Sequence, residues 1–305
     1  MEHEPDEPRP GAEWRVAIVG AGLMGSQIGC EYALAGCSVS WIVRDGSRAE
    51  QRIEQAFALA LGHGLATALQ IEAARARMHF GDGVPAAAGE PELIVESLPE
   101  SLSLKAEVIG PLCARHPRAV LASNTSSISI TTLAEAVGAP ERTLATHYWN
   151  PPLLMSLVEV LGAEGTPVAL RDRLAGLLRG IGKRPVVLER ELPGLLWNRL
   201  QLAMLRECVH LVEAGVATPE TIDEVMRDGL ARRWRMTGPF ETVGLGGAET
   251  FDAIAANLFP LLCDATAGPG FAPFVPGDRA ALARLRKRRD DALAAELRSE
   301  RELVG

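Results

Sequence analysis

The sequence predicts an α/β fold: a Rossmann-type, mostly parallel doubly wound sheet followed by a smaller all-α domain. Three observations predict it. An apolar strand runs directly into a G-x-G-x-x-G turn at Arg15-Val-Ala-Ile-Val-Gly-Ala-Gly-Leu-Met-Gly25. From Trp14 to Glu191 short apolar runs alternate with amphipathic ones, the rhythm of strands covered by helices. Beyond Pro193-Gly194 the strand signals stop and helical periodicity takes over. The expected organisation is an acidic, disordered tail over residues 1–13, a dinucleotide-binding domain over 14–192 and a helical domain over 193–305.

Seven strands are expected, at Val16–Gly20, Val39–Val43, Leu93–Glu96, Val120–Ser123, Leu144–His147, Leu157–Leu161 and Pro185–Leu188. A helix is expected over Ser26–Ala35. The alanine-rich stretch Arg48–Arg77, broken at Gly62-His63-Gly64, reads as two helices and a turn. In the second domain helical patterns cover Leu195–Ala214, Pro219–Gly229, Ala248–Asp264 and Arg279–Arg298. Thr218 before Pro219 supplies a side-chain cap and a first-turn proline. The last helix reads as a solvated face carrying i,i+4 charge pairs.

Composition narrows the function. The chain is 47% hydrophobic and 23% charged, with a net charge of −8. A net acidic chain argues against a general nucleic-acid or anionic-membrane binder, although one local basic pocket is enough for an anionic substrate. Cys30, Cys37, Cys113, Cys208 and Cys263 are dispersed, with no C-x-x-C pair, and read as reduced thiols of a cytoplasmic protein. No metal-ligand spacing is present. No apolar run is long enough to span a bilayer, and the tail lacks the apolar core of a signal peptide.

The glycine turn points to a dinucleotide. Gly20 permits the turn off the strand, Gly22 lets the backbone approach a pyrophosphate, and Gly25 lets the next helix pack closely. Leu23 and Met24 fill the intervening positions. The second strand ends with Val43, Arg44 and Asp45. An apolar residue beside an arginine suits the 2′-phosphate of NADP(H), whereas Asp45, one step further round, suits the ribose of NAD(H).

Four further stretches bear chemistry. Leu93-Ile-Val-Glu96-Ser-Leu-Pro-Glu100 is a strand ending in two carboxylates, and Ala122-Ser-Asn-Thr-Ser126-Ser-Ile-Ser ends in a hydroxyl-rich loop. Thr146-His147-Tyr-Trp-Asn150-Pro-Pro places a histidine at a strand end. Ser156-Leu-Val-Glu159-Val holds a carboxylate between apolar neighbours, where it needs a partner, and His147 on the neighbouring strand is the obvious one. A histidine oriented by a carboxylate is a standard general base. Singly, each has a plainer reading: a core histidine, a helix-capping Ser126, a strand-edge Glu159, a turn-forming Asn198.

In order, G-x-G-x-x-G, L-I-V-E-S-L-P-E, S-N-T-S-S, H-Y-W-N-P-P, S-L-V-E-V and P-G-x-x-x-N-R-L resemble the 3-hydroxyacyl-CoA dehydrogenase family. The resemblance runs from Trp14 to about Gly247. It implies NAD(H)-linked hydride transfer at C3 of a 3-hydroxyacyl substrate, with His147 as catalytic base and Glu159 as its orienting carboxylate. It implies that Ser126 and Asn198 hold the substrate oxygens, that Glu100, Lys105 and Asn150 line the cofactor, and that the helical domain forms a homodimer.

The sequence also departs from that family. Arg44 to Leu104 contains no lysine where the family carries them for the CoA phosphates. The tail Leu285-Arg-Lys-Arg-Arg-Asp-Asp-Ala-Leu resembles the lambda-crystallin and L-gulonate 3-dehydrogenase branch, which implies a free 3-hydroxy acid. Arg227, Arg232, Arg233 and Arg235 could clamp a carboxylate or phosphate, or be solvated helix-end charges. The first expectation is therefore an acyl thioester, the alternative a free acid of the gulonate or carnitine kind. A third reading is a dinucleotide-binding structural protein without turnover.

Overall fold

Strand alternation builds the sheet. In β1 (Arg15–Val19) Val16 and Ile18 face one side while Ala17 and Val19 face the other, and both sides are buried. A strand apolar on both faces belongs inside a parallel sheet covered by two helical layers. The computed structural model describes residues 14–83, 88–266, 271, 274 and 278–304, so the acidic tail expected at 1–13 lies outside them.

The sheet has eight strands in the order β3-β2-β1-β4-β5-β6-β7-β8. After β1 come α1 (Leu23–Leu34), β2 (Ser38–Ile42), α2 (Gly46–Gly62), α3 (Ala68–Arg75) and β3 (Met78–Gly81). Next are β4 (Leu93–Glu96), α4 (Leu102–Arg115), β5 (Val120–Ser123), α5 (Ile130–Ala136) and β6 (Thr143–Tyr148). β7 (Leu157–Gly162), α6 (Val168–Gly180) and β8 (Arg184–Val187) complete it. β3 was not among the expected strands: Met78-His-Phe-Gly81 is a short, half-exposed edge with weak alternation. β1 to β6 run parallel, whereas β7 runs antiparallel to β6 and β8 follows β7.

Local signals set the ends of the helices. Asp45 caps α2, its carboxylate accepting from Arg48 N at 3.1 Å. Thr67 and Gln70 form a capping box on α3, and the α2–α3 break falls after Gly62. Two apolar clusters fill the layers. One lies under α1, α2, α3 and α6 around Trp41, Phe57 and Leu178, the other under α4 and α5 around Ile94, Ile109 and Leu133.

The chain divides into two compact units, one through Leu196 together with the chain from Ala283 on, the other Trp197–Leu282. The second carries most of α7 (Leu195–Glu213), then α8 (Pro219–Glu224), a π-helical stretch Val225–Ala231, α9 (Arg232–Met236), α10 (Pro239–Gly246) and α11 (Ala248–Leu258). The terminal helix α12 (Arg279–Val304), expected with the helical domain, groups from Ala283 with the sheet unit. Ala294 and Leu297 are buried there, and Arg298 Nη1 donates to His63 O at 2.6 Å after α2.

Candidate active site

The glycine turn has the geometry of a phosphate cradle. Gly20 takes φ +96°, and a Cβ there would meet Ser97 O at 2.7 Å. A Cβ on Gly25 would stand 2.0 Å from Gly20 O, so the turn closes only with glycine at both places. Gly22 precedes α1 with no side-chain cap and no acidic residue follows in the first turn, which leaves the helix amides to an anion. Beside the turn the buried Ser97 hydroxyl has no hydrogen-bond partner among the described residues. These features fit a dinucleotide: Gly20, Gly22, Leu23, Met24 and Gly25 would hold its pyrophosphate, and the group would supply a hydride acceptor. At the end of β2, Val43 is tied by its amide to Gly81 O at 3.1 Å and Arg44 is exposed. Asp45 is occupied as the α2 cap.

The sheet register makes the acid–base pair. β6 and β7 are antiparallel with His147 opposite Glu159, so both side chains rise from the same face. His147 Nδ1 lies 2.7 Å from Glu159 Oε2, and Glu159 is 1% exposed. The other carboxylate oxygen accepts from Leu196 N at 2.8 Å, on the first turn of α7. Held in place by that amide, the carboxylate accepts the hydrogen bond of Nδ1–H, which leaves the Nε2 lone pair as the basic face. His147 is the fifth residue of the six in β6, at the sheet edge where the parallel strands end.

A second buried network shapes the loop after β5. Glu96, the last residue of β4, receives Lys105 Nζ at 2.7 Å on each oxygen and Ser123 Oγ at 2.5 Å. Lys105 is 1% exposed and also reaches Glu100 Oε2 at 3.3 Å. Glu100 Oε1 accepts from the amides of Ser126 at 2.9 Å and Ser127 at 2.7 Å and from Thr125 Oγ1 at 2.7 Å. Burial pushes the Glu100 carboxyl up, but these hydrogen bonds from Thr125, Ser127 and Ser126, with the Lys105 ammonium, outweigh it and hold it at about 2. Asn124 Oδ1 accepts from Tyr148 N at 2.9 Å, fastening the Ser126 loop to the residue after His147.

Ser126 lines a cavity of about 340 Å3 with Ile130, Ala145, Leu161, Gly194 and Leu195. Asn150 sits on the loop leaving β6. Asn198 belongs to the second unit, two residues after Leu196. The structure therefore brings Glu159, His147 and the Ser126 loop together, and sets Glu100 and Lys105 behind that loop.

Sequence reasoning missed Lys183, whose ammonium pairs with Glu31 at 2.6 Å and donates to Pro152 O and Met155 O at 2.7 Å. It thereby ties the loop after Asn150 to α1. Glu191 was missed too, and it binds Ile130 N at 2.6 Å at the head of α5. Arg227 pairs with Asp228 at 3.3 Å, and Arg232, Arg233 and Arg235 are exposed on the second unit. Among the described residues no His/Cys/Asp/Glu grouping could hold a metal, and no helix is long and apolar enough to cross a membrane. The five thiols are free, and burial pushes Cys37 up to about 12, so it is inert at neutral pH.

A glycine turn fitted to a pyrophosphate and a carboxylate-held imidazole on one sheet edge define a nicotinamide-dinucleotide oxidoreductase acting on CH–OH groups. Residues 15–192 match the 3-hydroxyacyl-CoA dehydrogenase NAD binding domain and residues 194–276 the 3-hydroxyacyl-CoA dehydrogenase C-terminal domain. The chain belongs to the 3-hydroxyacyl-CoA dehydrogenase family, and its cofactor is NAD(H). It is 35% identical over 237 residues to an L-carnitine dehydrogenase of Burkholderia mallei, covering 76% of this chain and 73% of that protein.

Among solved structures, 5-formyl-3-hydroxy-2-methylpyridine 4-carboxylic acid 5-dehydrogenase, described as an NAD+ dependent dismutase, matches with a TM-score of 0.81 at 25% identity. That match covers 93% of this chain and 97% of the other. A 3-hydroxybutyryl-CoA dehydrogenase from Escherichia coli K12 is 31% identical with a TM-score of 0.65, over 71% of this chain and 46% of that one.

Proposed function

We propose that this dehydrogenase oxidises the 3-hydroxyl of a free carboxylic acid, or reduces the matching 3-oxo acid, with His147 as its proton carrier. The His147–Glu159 pair carries the reading. In oxidation Nε2 of His147 takes the hydroxyl proton, and a nicotinamide held by the glycine turn would supply the acceptor for the C3 hydride. In reduction the imidazolium returns the proton. Glu159 stabilises that imidazolium and keeps the ring turned, and the α7 amide keeps Glu159 in place. Ser126, on a loop fixed by Glu100, and Asn198, at the start of α7, bind the reacting oxygens. Asn150, with Lys105 acting through Glu100, supports the cofactor side.

Similarity to an L-carnitine dehydrogenase, and to a pyridine carboxylic acid dehydrogenase over nearly the whole chain, favours a free acid. The stretch from Arg44 to Leu104 departs from the acyl-CoA enzymes in the same direction, since it carries arginines (Arg48, Arg52, Arg75 and Arg77) and none of the lysines the family places there. A second reading, an acyl thioester, is favoured by the six ordered motifs and by the 3-hydroxybutyryl-CoA dehydrogenase match.

Nicotinamide absorbance with L-carnitine, L-gulonate, 3-hydroxybutyrate and acetoacetyl-CoA in parallel tests the choice. Turnover of an acid with none of the thioester is expected, and turnover of acetoacetyl-CoA alone reverses the assignment. Running each with NADH or NAD+ and with the phosphorylated cofactor settles whether Arg44 adds any use of NADP(H). The second unit exposes Phe240, Met236, Leu245 and Leu261, and we assign that surface to a second copy of the chain, giving a homodimer.

A further inference from the structure

Residues 191–196 lead into α7 within the sheet unit, and carboxylates pin the run at both ends. At one end Glu191 Oε1 accepts from Ile130 N at 2.6 Å and Oε2 from Thr131 Oγ1 at 2.7 Å. At the other, Leu196 N donates to Glu159 Oε1 at 2.8 Å. Between them Leu195 N donates to Leu192 O at 3.0 Å and closes a turn.

That turn is strained. Gly194 takes φ +83° and Leu195 φ +52°. Among the described residues Leu195 is the one non-glycine residue at positive φ, where its Cβ crowds the carbonyl that follows. Such a conformation persists only where the surroundings over-determine it. Two contacts do so here. Leu195 is 8% exposed and joins Ile130, Ala145 and Leu161 in one apolar cluster. Ala145 and Leu161 stand opposite each other, two residues from the His147–Glu159 pair and on the same face of the sheet. The second contact is Glu191, which fastens the start of the turn to the head of α5. Rotation of Leu195 to an ordinary φ would swing the next peptide, and with it the Leu196 N–H, off Glu159.

We infer that Glu191 is a positioning residue of the acid–base pair. Its hold on α5 keeps Leu195 left-handed, so that the Leu196 amide meets Glu159 and Glu159 stays aligned on His147 Nδ1. The inference rests on the reading of His147 as proton carrier.

The test compares E191A, E191Q and T131V with wild type in steady-state kinetics and in proton NMR of the substrate-free enzyme. E191A loses both contacts and is expected to lower kcat about tenfold, the loss of one charge-assisted hydrogen bond. KM and NADH Kd should stay within about twofold, because neither ligand is held by the tether. The downfield Nδ1 proton of His147, assigned by its absence from H147Q, is to move or broaden. E191Q can still accept from Ile130 N and donate to Thr131 Oγ1, so it should keep both kcat and the resonance near wild type. Should E191A fail to fold, T131V, which cuts one of the two contacts, is to shift the same resonance and lower kcat to a smaller extent. A lowered Tm in E191A with kcat and resonance unchanged overturns the inference and leaves Glu191 a cap of α5. A raised KM at unchanged kcat overturns it by giving Glu191 to the substrate. An E191Q as impaired as E191A overturns it in favour of a role for the charge itself. Wild-type turnover in H147Q removes the proton-carrier reading, and a displaced resonance in E191A would still show the tether.

Discussion

The two units solve burial in opposite ways. The sheet unit hides charge: Glu96 with Lys105, His147 with Glu159 and Glu31 with Lys183 are each held inside by a partner at 2.6–2.7 Å. The unit Trp197–Leu282 leaves apolar side chains in view, with Phe240 91% and Met236 80% exposed. Among its described residues Val209 and Thr242 are the buried ones. A unit that can bury charge in pairs has a complete core around it. A unit that cannot hide its phenylalanines has a surface awaiting cover. The comparison sets the paired buried charges in the first unit and the exposed apolar side chains in the second.

The sharpest break of that comparison is H147Q. It removes the proton carrier, and kcat is expected to fall about a thousandfold, a typical general acid–base contribution. NADH Kd, read by fluorescence, should stay within twofold, because the glycine turn is untouched. Wild-type turnover in H147Q would take the chemistry away from the sheet edge.

K105M probes whether the buried charges depend on their pairing. It strips Glu96 of its counter-ion in the core, leaving it the Ser123 hydroxyl and the Leu98 amide, at a cost of about 3 kcal/mol or more in urea unfolding. The double variant E96Q/K105M should recover part of that loss, since the stranded charge is gone. Equal stability of K105M and wild type would contradict the pairing.

For the second unit, F240D is expected to shift the sedimentation of the chain from dimer towards monomer. The cost to the monomer itself should fall within about 0.5 kcal/mol, because Phe240 packs on little of its own chain. An unchanged sedimentation coefficient would move the dimer surface elsewhere.

The smallest effect concerns pH. The Glu100 carboxyl is held at about 2 against an ordinary 4.5. Its contribution is therefore complete above pH 4.5 and is lost as pH falls from 4.5 towards 2. The group is partly exposed, so solvent screening reduces this to about 1 kcal/mol. E100Q should flatten the acid limb of the stability curve by that amount. An acid limb identical to wild type would mean that the loop is held by other contacts.

Much of the site was legible because its signals are local. Gly20 and Gly25 announce a turn that no side chain can enter, and Glu159 among Leu157, Val158, Val160 and Leu161 announces a carboxylate needing a partner. The family resemblance named Lys105, but nothing in the sequence marked it as the counter-ion of Glu96, because that pair meets only when α4 folds back on the end of β4. β3 was missed because a four-residue edge strand carries almost no alternation. Lys183 was missed because its partners Glu31, Pro152 and Met155 lie far apart along the chain.

The sequence by itself determined the α/β class, the glycine turn, seven of the eight strands and the pairing of His147 with Glu159. Each follows from periodicity or from a residue whose neighbours leave it one role. Only the tertiary structure decided that β7 and β8 reverse direction and that Asp45 caps a helix. It alone decided that α12 returns to the sheet unit. Those facts depend on which surfaces bury against each other across long stretches of chain, and a local pattern of apolar and charged residues fits several such arrangements equally well.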